Sequence, residues 1–257
     1  MLSRVRKESP VIHHLTNWVT IYDCAQAVKS LGGSPVMAHA LEEVGEMAEI
    51  ASALVLNIGT LTSELVEAMK KAAGVANKRG IPVVFDVCGA GATKFRDKKC
   101  QELFCALNIG IIKGNASEVA SLAGERVKTK GVDSAVVRSN INGLAAKLAI
   151  KNKCTVVVTG AEDIVTDGKF SFRIKNGDRI MSSVVGTGCI AASVIASFAA
   201  VENNLTIASA AGLACFEVAS EIAAVQSKGP GTFKEKLFDE LYLLTPEVVN
   251  KSQKITC

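Results

Sequence analysis

Ala53-Leu54-Val55-Leu56-Asn57-Ile58-Gly59 is an almost unbroken apolar run closed by a glycine, and its reading decides the fold class. A strand covered on one face alternates apolar and polar residues, whereas a strand covered on both faces can be apolar throughout. The chain beyond it reads as a helix that Thr62 or Ser63 can cap, running to about Lys78 before Arg79-Gly80 stops it. Residues 81–87 then form a second buried strand. Parallel neighbours require a crossover of this kind, so the segment predicts a parallel sheet with helices on its faces.

The alternation extends both ways. Upstream, Val11–Leu15 reads as a strand, 19–31 as a helix ended by Gly32-Gly33, 34–38 as extended chain and 42–51 as a helix with Val44, Met47, Ala48 and Ala51 on one face. Downstream come a strand at 109–113, a short helix near 116–123, an irregular surface connection at 128–139, a helix around 143–151 and a strand at Thr155–Thr159. Ile164-Val165-Thr166 and the alternating run 170–174, joined through Asp167-Gly168, predict a hairpin at one edge of the sheet. Helices at 189–201 and 206–226 follow, and a last one begins at about 232 after Gly229-Pro230-Gly231. The expected architecture is a three-layer α/β/α domain with a mostly parallel central sheet, one domain spanning 1–257.

Composition narrows the function. Of the 257 residues 49% are hydrophobic and 21% charged, which is globular, and the net charge of +4 is spread along the chain while aromatics reach only 5%, which argues against nucleic-acid binding. Arg4, Arg6 and Lys7 lead into Glu8-Ser9-Pro10 and not into an apolar segment, so no signal peptide is expected. The longest nearly uncharged run, 180–201, is interrupted by glycines and serines and makes a poor membrane span. A soluble cytoplasmic protein is expected. The eight cysteines show no C-x-x-C spacing and read as reduced thiols, with Cys88, Cys154 and Cys215 assigned to the core.

In open α/β sheets ligands gather beyond the carboxyl ends of the strands. Those ends carry Asn57-Ile58-Gly59, Asp86 with Gly89 and Gly91, Lys113-Gly114-Asn115 with Glu118, Thr159-Gly160 and finally Gly186-Thr187-Gly188-Cys189. The last of these lets the backbone approach a ligand and opens a small-residue helix, whose free N–H groups favour phosphate. Two carboxylates, a cation and close-approach glycines suit a nucleotide and a divalent metal. The Walker pattern is absent, and Gly186-x-Gly188-x-x-Ala191 lies too late in the chain to open a Rossmann half. His13, His14 and His39 have no fixed spacing to Cys189 and read as packing or pocket residues.

Leu15-Thr16-Asn17, the stretch from Leu31 to Ala38, the stretch from Leu54 to Thr60, Gly89-Ala90-Gly91-Ala92-Thr93, the stretch from Lys113 to Glu118 and Gly186-Thr187-Gly188-Cys189 together resemble the hydroxyethylthiazole kinases of the ribokinase-like group. The resemblance implies ATP-dependent, Mg²⁺-assisted phosphorylation of the primary alcohol of 4-methyl-5-(2-hydroxyethyl)thiazole for thiamine biosynthesis. It also implies a homotrimer with active sites at subunit interfaces. Asn17, Met37, Gly59 and Gly186 would border the thiazole; Lys113, Thr159, Gly186, Thr187 and Gly188 the nucleotide. Asp86 and Glu118 would organise the metal, and Cys189 would stand where sugar kinases of the wider group carry an aspartate base. The chain departs from the family pattern at Lys113, where arginine is usual, at Asp86-Val87-Cys88, where Asp-Pro-Val is usual, and at Asp23, where asparagine is common. Two rival functions are a thiol-nucleophile enzyme built on Cys189 and a nucleotide- or thiazole-binding regulator with weak catalysis; a related heteroaromatic alcohol is the rival substrate.

Overall fold

The computed structural model describes residues 1–125 and 140–257; the connection expected at 128–139 lies outside the described residues. In chain order the elements are α1 (Leu2–Glu8), β1 (Val11–Leu15), α2 (Ile21–Leu31), β2 (Ser34–Val36), α3 (Val44–Ile50), β3 (Ala53–Asn57), α4 (Ser63–Arg79), β4 (Val83–Asp86), α5 (Lys94–Ala106), β5 (Ile111–Asn115), α6 (Ala116–Leu122), α7 (Ile141–Asn152) and β6 (Thr155–Thr159). They continue through β7 (Asp163–Thr166), β8 (Ser171–Ile174), a 3₁₀ turn (Arg179–Ser183), α8 (Thr187–Ala199), α9 (Leu205–Val225), α10 (Pro230–Leu243), α11 (Pro246–Ser252) and β9 (Ile255–Thr256).

All nine strands form one sheet in the order β2-β1-β3-β4-β5-β6-β7-β8-β9. The first six are parallel and the last three antiparallel, as the predicted crossovers and hairpin require. The hairpin is not the outermost element: β9 adds beside β8, Ile174 opposite Ile255, and closes that edge. Strand order reverses at β1, which has β2 on one side and β3 on the other, so a topological switch point lies beside the ends of β1 and β3.

The pleat sends alternate residues into two cores. Val55, Val84, Ile111, Val157 and Val165 face α1, α2, α8, α9 and α10. Leu54, Leu56, Phe85, Ile112 and Val156 face α3 to α7. This double coverage is why β3 is apolar over its length. Thr62 caps α4 by accepting from the Leu65 amide at 3.1 Å, and Gly80 ends it in the left-handed conformation.

Three helices escape a periodicity reading. α5 is dominated by charged and polar residues and fully buries only Cys100 and Leu103. α1 fully buries only Leu2 and Val5, and α11, a separate helix after α10, buries none of its residues completely. α8 lies at the opposite extreme, buried from Cys189 to Ala199 and packed against α2, α9 and the sheet. α9 is long and apolar enough to cross a membrane, yet it lies largely buried between α8 and α10 as a core helix.

Candidate functional site

The loop before α8 delivers a helix N-terminus to the strand ends. Gly186 caps α8 with φ +93°, and a Cβ there would collide with the Thr20 methyl. No side chain caps the first turn, so its N–H groups are left for a ligand. At Gly188 a Cβ would stand 2.8 Å from the Lys113 ammonium, so glycine there lets the cation come up against the helix end.

Two asparagines bind this end to the sheet. Asn57, the last residue of β3, donates from Nδ2 to Asp86 Oδ2 at 2.8 Å and to Cys189 Sγ at 3.2 Å. Asn17, just past β1, donates from Nδ2 to Asn57 Oδ1 at 3.1 Å and to Cys189 Sγ at 3.4 Å. Both hydrogens of each amide are used. Asn57 Oδ1 also accepts from the Gly59 amide at 2.8 Å, and Asn17 Oδ1 accepts from the amides of Val19 and Thr20 and the Thr20 hydroxyl. This network straddles the switch point and aims two donors at one sulfur. A hydrogen bond from Cys88 adds to them and lowers the Cys189 pKa, against burial and the Asp86 charge and with help from Lys113 and Thr20. Cys88 is pushed the other way, by the same bond and by burial. Cys88 is therefore no core thiol: it is half-buried and partners the candidate catalytic sulfur, whereas Cys154 and Cys215 are buried as expected.

The charges beneath are arranged around one cation. Lys113 Nζ lies 3.4 Å from Asp86 Oδ1, with both side chains buried. Burial works to remove the Lys113 proton, but Asp86, Glu118, Cys189 and Cys88 together hold its pKa above the usual lysine value. Burial pushes both carboxyls up while Lys113 draws them down. Glu118 closes a capping box with Asn115 at the start of α6, Oε2 accepting from the Asn115 amide and Oε1 from the Gly89 amide, both at 2.7 Å. It thus ties the loop after β4 to the end of β5. Among the described residues no group of three or more His, Cys, Asp and Glu side chains can hold a metal alone. A Mg²⁺ that keeps several waters and travels on phosphates fits two carboxylates so placed.

The remaining candidates divide. Asn17, Gly59, Asp86, Lys113, Glu118, Gly186, Gly188 and Cys189 converge through the contacts above. Met37 does not join them through a side-chain hydrogen bond; its carbonyl accepts from His39 Nδ1 at 2.8 Å, while His39 Nε2 accepts the Thr16 amide at 3.1 Å. His13 and His14 are packing residues, His14 bonded to Ser193 Oγ at 3.0 Å and kept neutral by burial, with a pKa lowered to about 4. Thr159, Thr187 and Gly188 line a cavity of about 650 Å³ together with Met181, Ala191, Leu213, Phe216 and residues 175–179. Sequence reasoning passed over Arg96, which donates to the carbonyls of Ile58, Cys88 and Gly59 and so braces the loops after β3 and β4. It also gave Thr20 no role. Asp23, the departure on α2, pairs with Lys234 on α10 at 2.9 Å.

Residues 2–247 match the model of the hydroxyethylthiazole kinase family. Hydroxyethylthiazole kinase of Methanosarcina acetivorans is 49% identical over 98% of this chain and 97% of its own. A solved hydroxyethylthiazole kinase structure from Pyrococcus horikoshii is 39% identical and superposes with a TM-score of 0.89 over 99% of this chain and 96% of that one. A ribokinase-like superfamily protein of Enterococcus faecalis shares the fold at 15% identity, with a TM-score of 0.63 over 90% of this chain and 86% of that one.

Proposed function

The chain belongs to the hydroxyethylthiazole kinase family, and from this premise we infer that it transfers the γ-phosphoryl group of ATP to the primary hydroxyl of 4-methyl-5-(2-hydroxyethyl)thiazole, in thiamine biosynthesis or salvage. The observation that carries the reading is the meeting of Cys189 and Lys113 at the uncapped α8 N-terminus, whose Thr187 and Gly188 line a cavity large enough for a nucleotide.

The nucleotide occupies that cavity, its phosphates against Thr159, Lys113 and the amides from Gly186 to Gly188. Phosphoryl transfer has a loose transition state in most analyses, so its charge is what the site must meet. Lys113 and the α8 amides do so from fixed positions and need no reorganisation during the reaction. The thiazole lies on the other side of Cys189, bordered by Asn17, Met37, Gly59 and Gly186. There the sulfur accepts the substrate hydroxyl and orients it toward the phosphorus. Because Cys88 and two amides stabilise its negative charge, it can also take the proton, as a weak base. Asp86 and Glu118 are the residues that would hold a Mg²⁺, which would supply neutralising charge to the phosphates.

Exposed Trp18, Val19, Tyr22, Leu41 and Val185 support a homotrimer in which a neighbouring subunit completes the thiazole side. Trp18 and Val19 follow Asn17, Trp18 lies against the His39 ring with centroids 4.8 Å apart, and Val185 precedes Gly186. Eight free thiols suit a reducing, cytoplasmic compartment.

The test is thiazole-dependent ADP release with detection of the phosphorylated product by mass. Cys189→Ala is expected to lower kcat by about 10²-fold without abolishing it, and Cys189→Asp, which restores an anionic proton acceptor at the same place, to raise it above the alanine variant. Abolished turnover in the alanine variant with no gain from aspartate would contradict the weak-base role.

A further inference from the structure

Asp163, the first residue of β7, and Glu217, in the middle of α9, are 2% and 5% exposed, and both line the cavity assigned to the nucleotide. Each leaves one oxygen, Asp163 Oδ2 and Glu217 Oε2, buried without a donor from the protein. Asp163 Oδ1 is satisfied by the Gly160 amide at 2.8 Å. Burial holds both carboxyls toward the protonated form, and Asp163 adds to this at Glu217, so the pair keeps a proton that a carboxyl in water would release. Among the described residues neither carboxyl forms an ion pair, although the Lys113 charge draws the Asp163 pKa down against burial. Lys175, Asp178 and Arg179 line the same cavity, and Glu221, one turn further along α9, is engaged by Lys254 at 2.8 Å and by the Gly177 amide at 3.1 Å.

None of the contacts that assemble the phosphate-binding end uses this pair, and its placement suits the nucleoside end. The cavity is shared by the α8 N-terminus, where Thr187 and Gly188 meet phosphate, and by an apolar wall of Met181, Ala191, Leu213 and Phe216, on which a purine can lie. A carboxyl pair that keeps one proton still has acceptor lone pairs at Asp163 Oδ2 and Glu217 Oε2 that no protein donor uses. It carries one negative charge where two would repel the triphosphate.

We propose that Asp163 and Glu217 are a nucleoside-recognition element of the kinase site, a pair of buried carboxyls that accepts hydrogen bonds from N–H or O–H donors of the bound nucleoside. The chemistry is common to an exocyclic base amine and to the ribose hydroxyls, and it selects nucleotides by the donors they present. The proposal rests on the kinase reading given above.

The experiment measures KM for ATP, for 2′-deoxy-ATP and for the triphosphate of purine riboside, which lacks the exocyclic amine, in the thiazole-dependent ADP assay. Wild type, Glu217→Ala and Glu217→Gln are compared. In Glu217→Ala the KM for ATP should rise about tenfold or more while the KM for the thiazole stays put, as loss of a hydrogen bond to a charged acceptor implies. The analogue lacking the recognised donor should bind wild type and Glu217→Ala alike, which tells amine from hydroxyl. Glu217→Gln keeps an acceptor and needs no retained proton, so it should restore the KM for ATP to within about twofold. An unchanged KM for ATP in Glu217→Ala, or an equal rise for all three nucleotides, would overturn the assignment. If no nucleotide supports transfer by the wild-type protein, the kinase reading itself falls and the assignment with it, an outcome plainly distinct from active enzyme with indifferent variants.

Discussion

Two corners of the same rim bury carboxyl groups, and they neutralise them by different means. At the ends of β4 and β5, Asp86 and Glu118 are set around Lys113, whose proton is held more firmly than that of an ordinary lysine. At the start of β7, Asp163 and Glu217 form no ion pair among the described residues, and burial holds a proton on them instead. The first arrangement keeps its cation charged across any working pH and can stabilise a transferring phosphoryl group. The second costs no counter-ion and leaves room for a nucleoside, but its neutrality depends on the solvent's proton activity.

The largest effect should come from breaking the permanent corner. Lys113→Met leaves two buried carboxyls without their cation and is expected to cost about 3–5 kcal/mol in urea unfolding. The double variant Lys113→Met/Asp86→Asn, which removes the stranded charge as well, should recover most of that stability and none of the kinase activity. Full stability in the single variant would mean that Lys113 does not hold the corner together.

How much of this was legible in the sequence follows from how local each feature is. Apolar runs such as 53–59 and 81–87 announce strands covered on both faces, and the residues closing them fall at the carboxyl ends where the site lies. Asp86, Lys113, Glu118 and Cys189 could therefore be named in advance. Glu118 serves the fold as well as the site: it closes the capping box of α6, and its second bond reaches the Gly89 amide. What could not be read is pairing through space. Arg96 lies on α5, whose charged sequence carries little periodicity, and it reaches carbonyls 37 and 38 positions upstream. Asp163 and Glu217 sit on a strand and a helix far apart in sequence, and only the packing of α9 against β7 brings them together.

The proton-held corner should reveal itself as a pH slope. Burial and then Asp163 raise the Glu217 pKa from 4.5 to about 11, so the folded protein keeps a proton that the unfolded chain releases. The sign follows directly. Below the unfolded value both states are protonated, and as pH rises from there toward the folded value, folding stability falls, by at most about 1.4 kcal/mol per pH unit for one proton. Glu217→Gln removes that contribution. Wild type should therefore lose ground to the variant steadily between about pH 6 and 9 in paired urea titrations, while other titrating groups cancel in the comparison. Parallel curves would show that the pair keeps no such proton.

The smallest effect is expected where neither device operates. Asp23 and Lys234 join α2 to α10 at 2.9 Å, with the aspartate side chain 7% and the lysine side chain 40% exposed. The ammonium keeps contact with water, so the pair escapes the full desolvation that makes Lys113 indispensable to its neighbours, and it has no need of a retained proton. An ion pair open on one side is worth at most about 1 kcal/mol and is screened by salt. Asp23→Asn should cost no more than that at low ionic strength and nothing measurable in about 1 M salt. A loss of about 3 kcal/mol, or one indifferent to salt, would place this pair with the buried corner at Lys113 and remove the distinction between charges that must be matched inside the protein and charges that water can still serve.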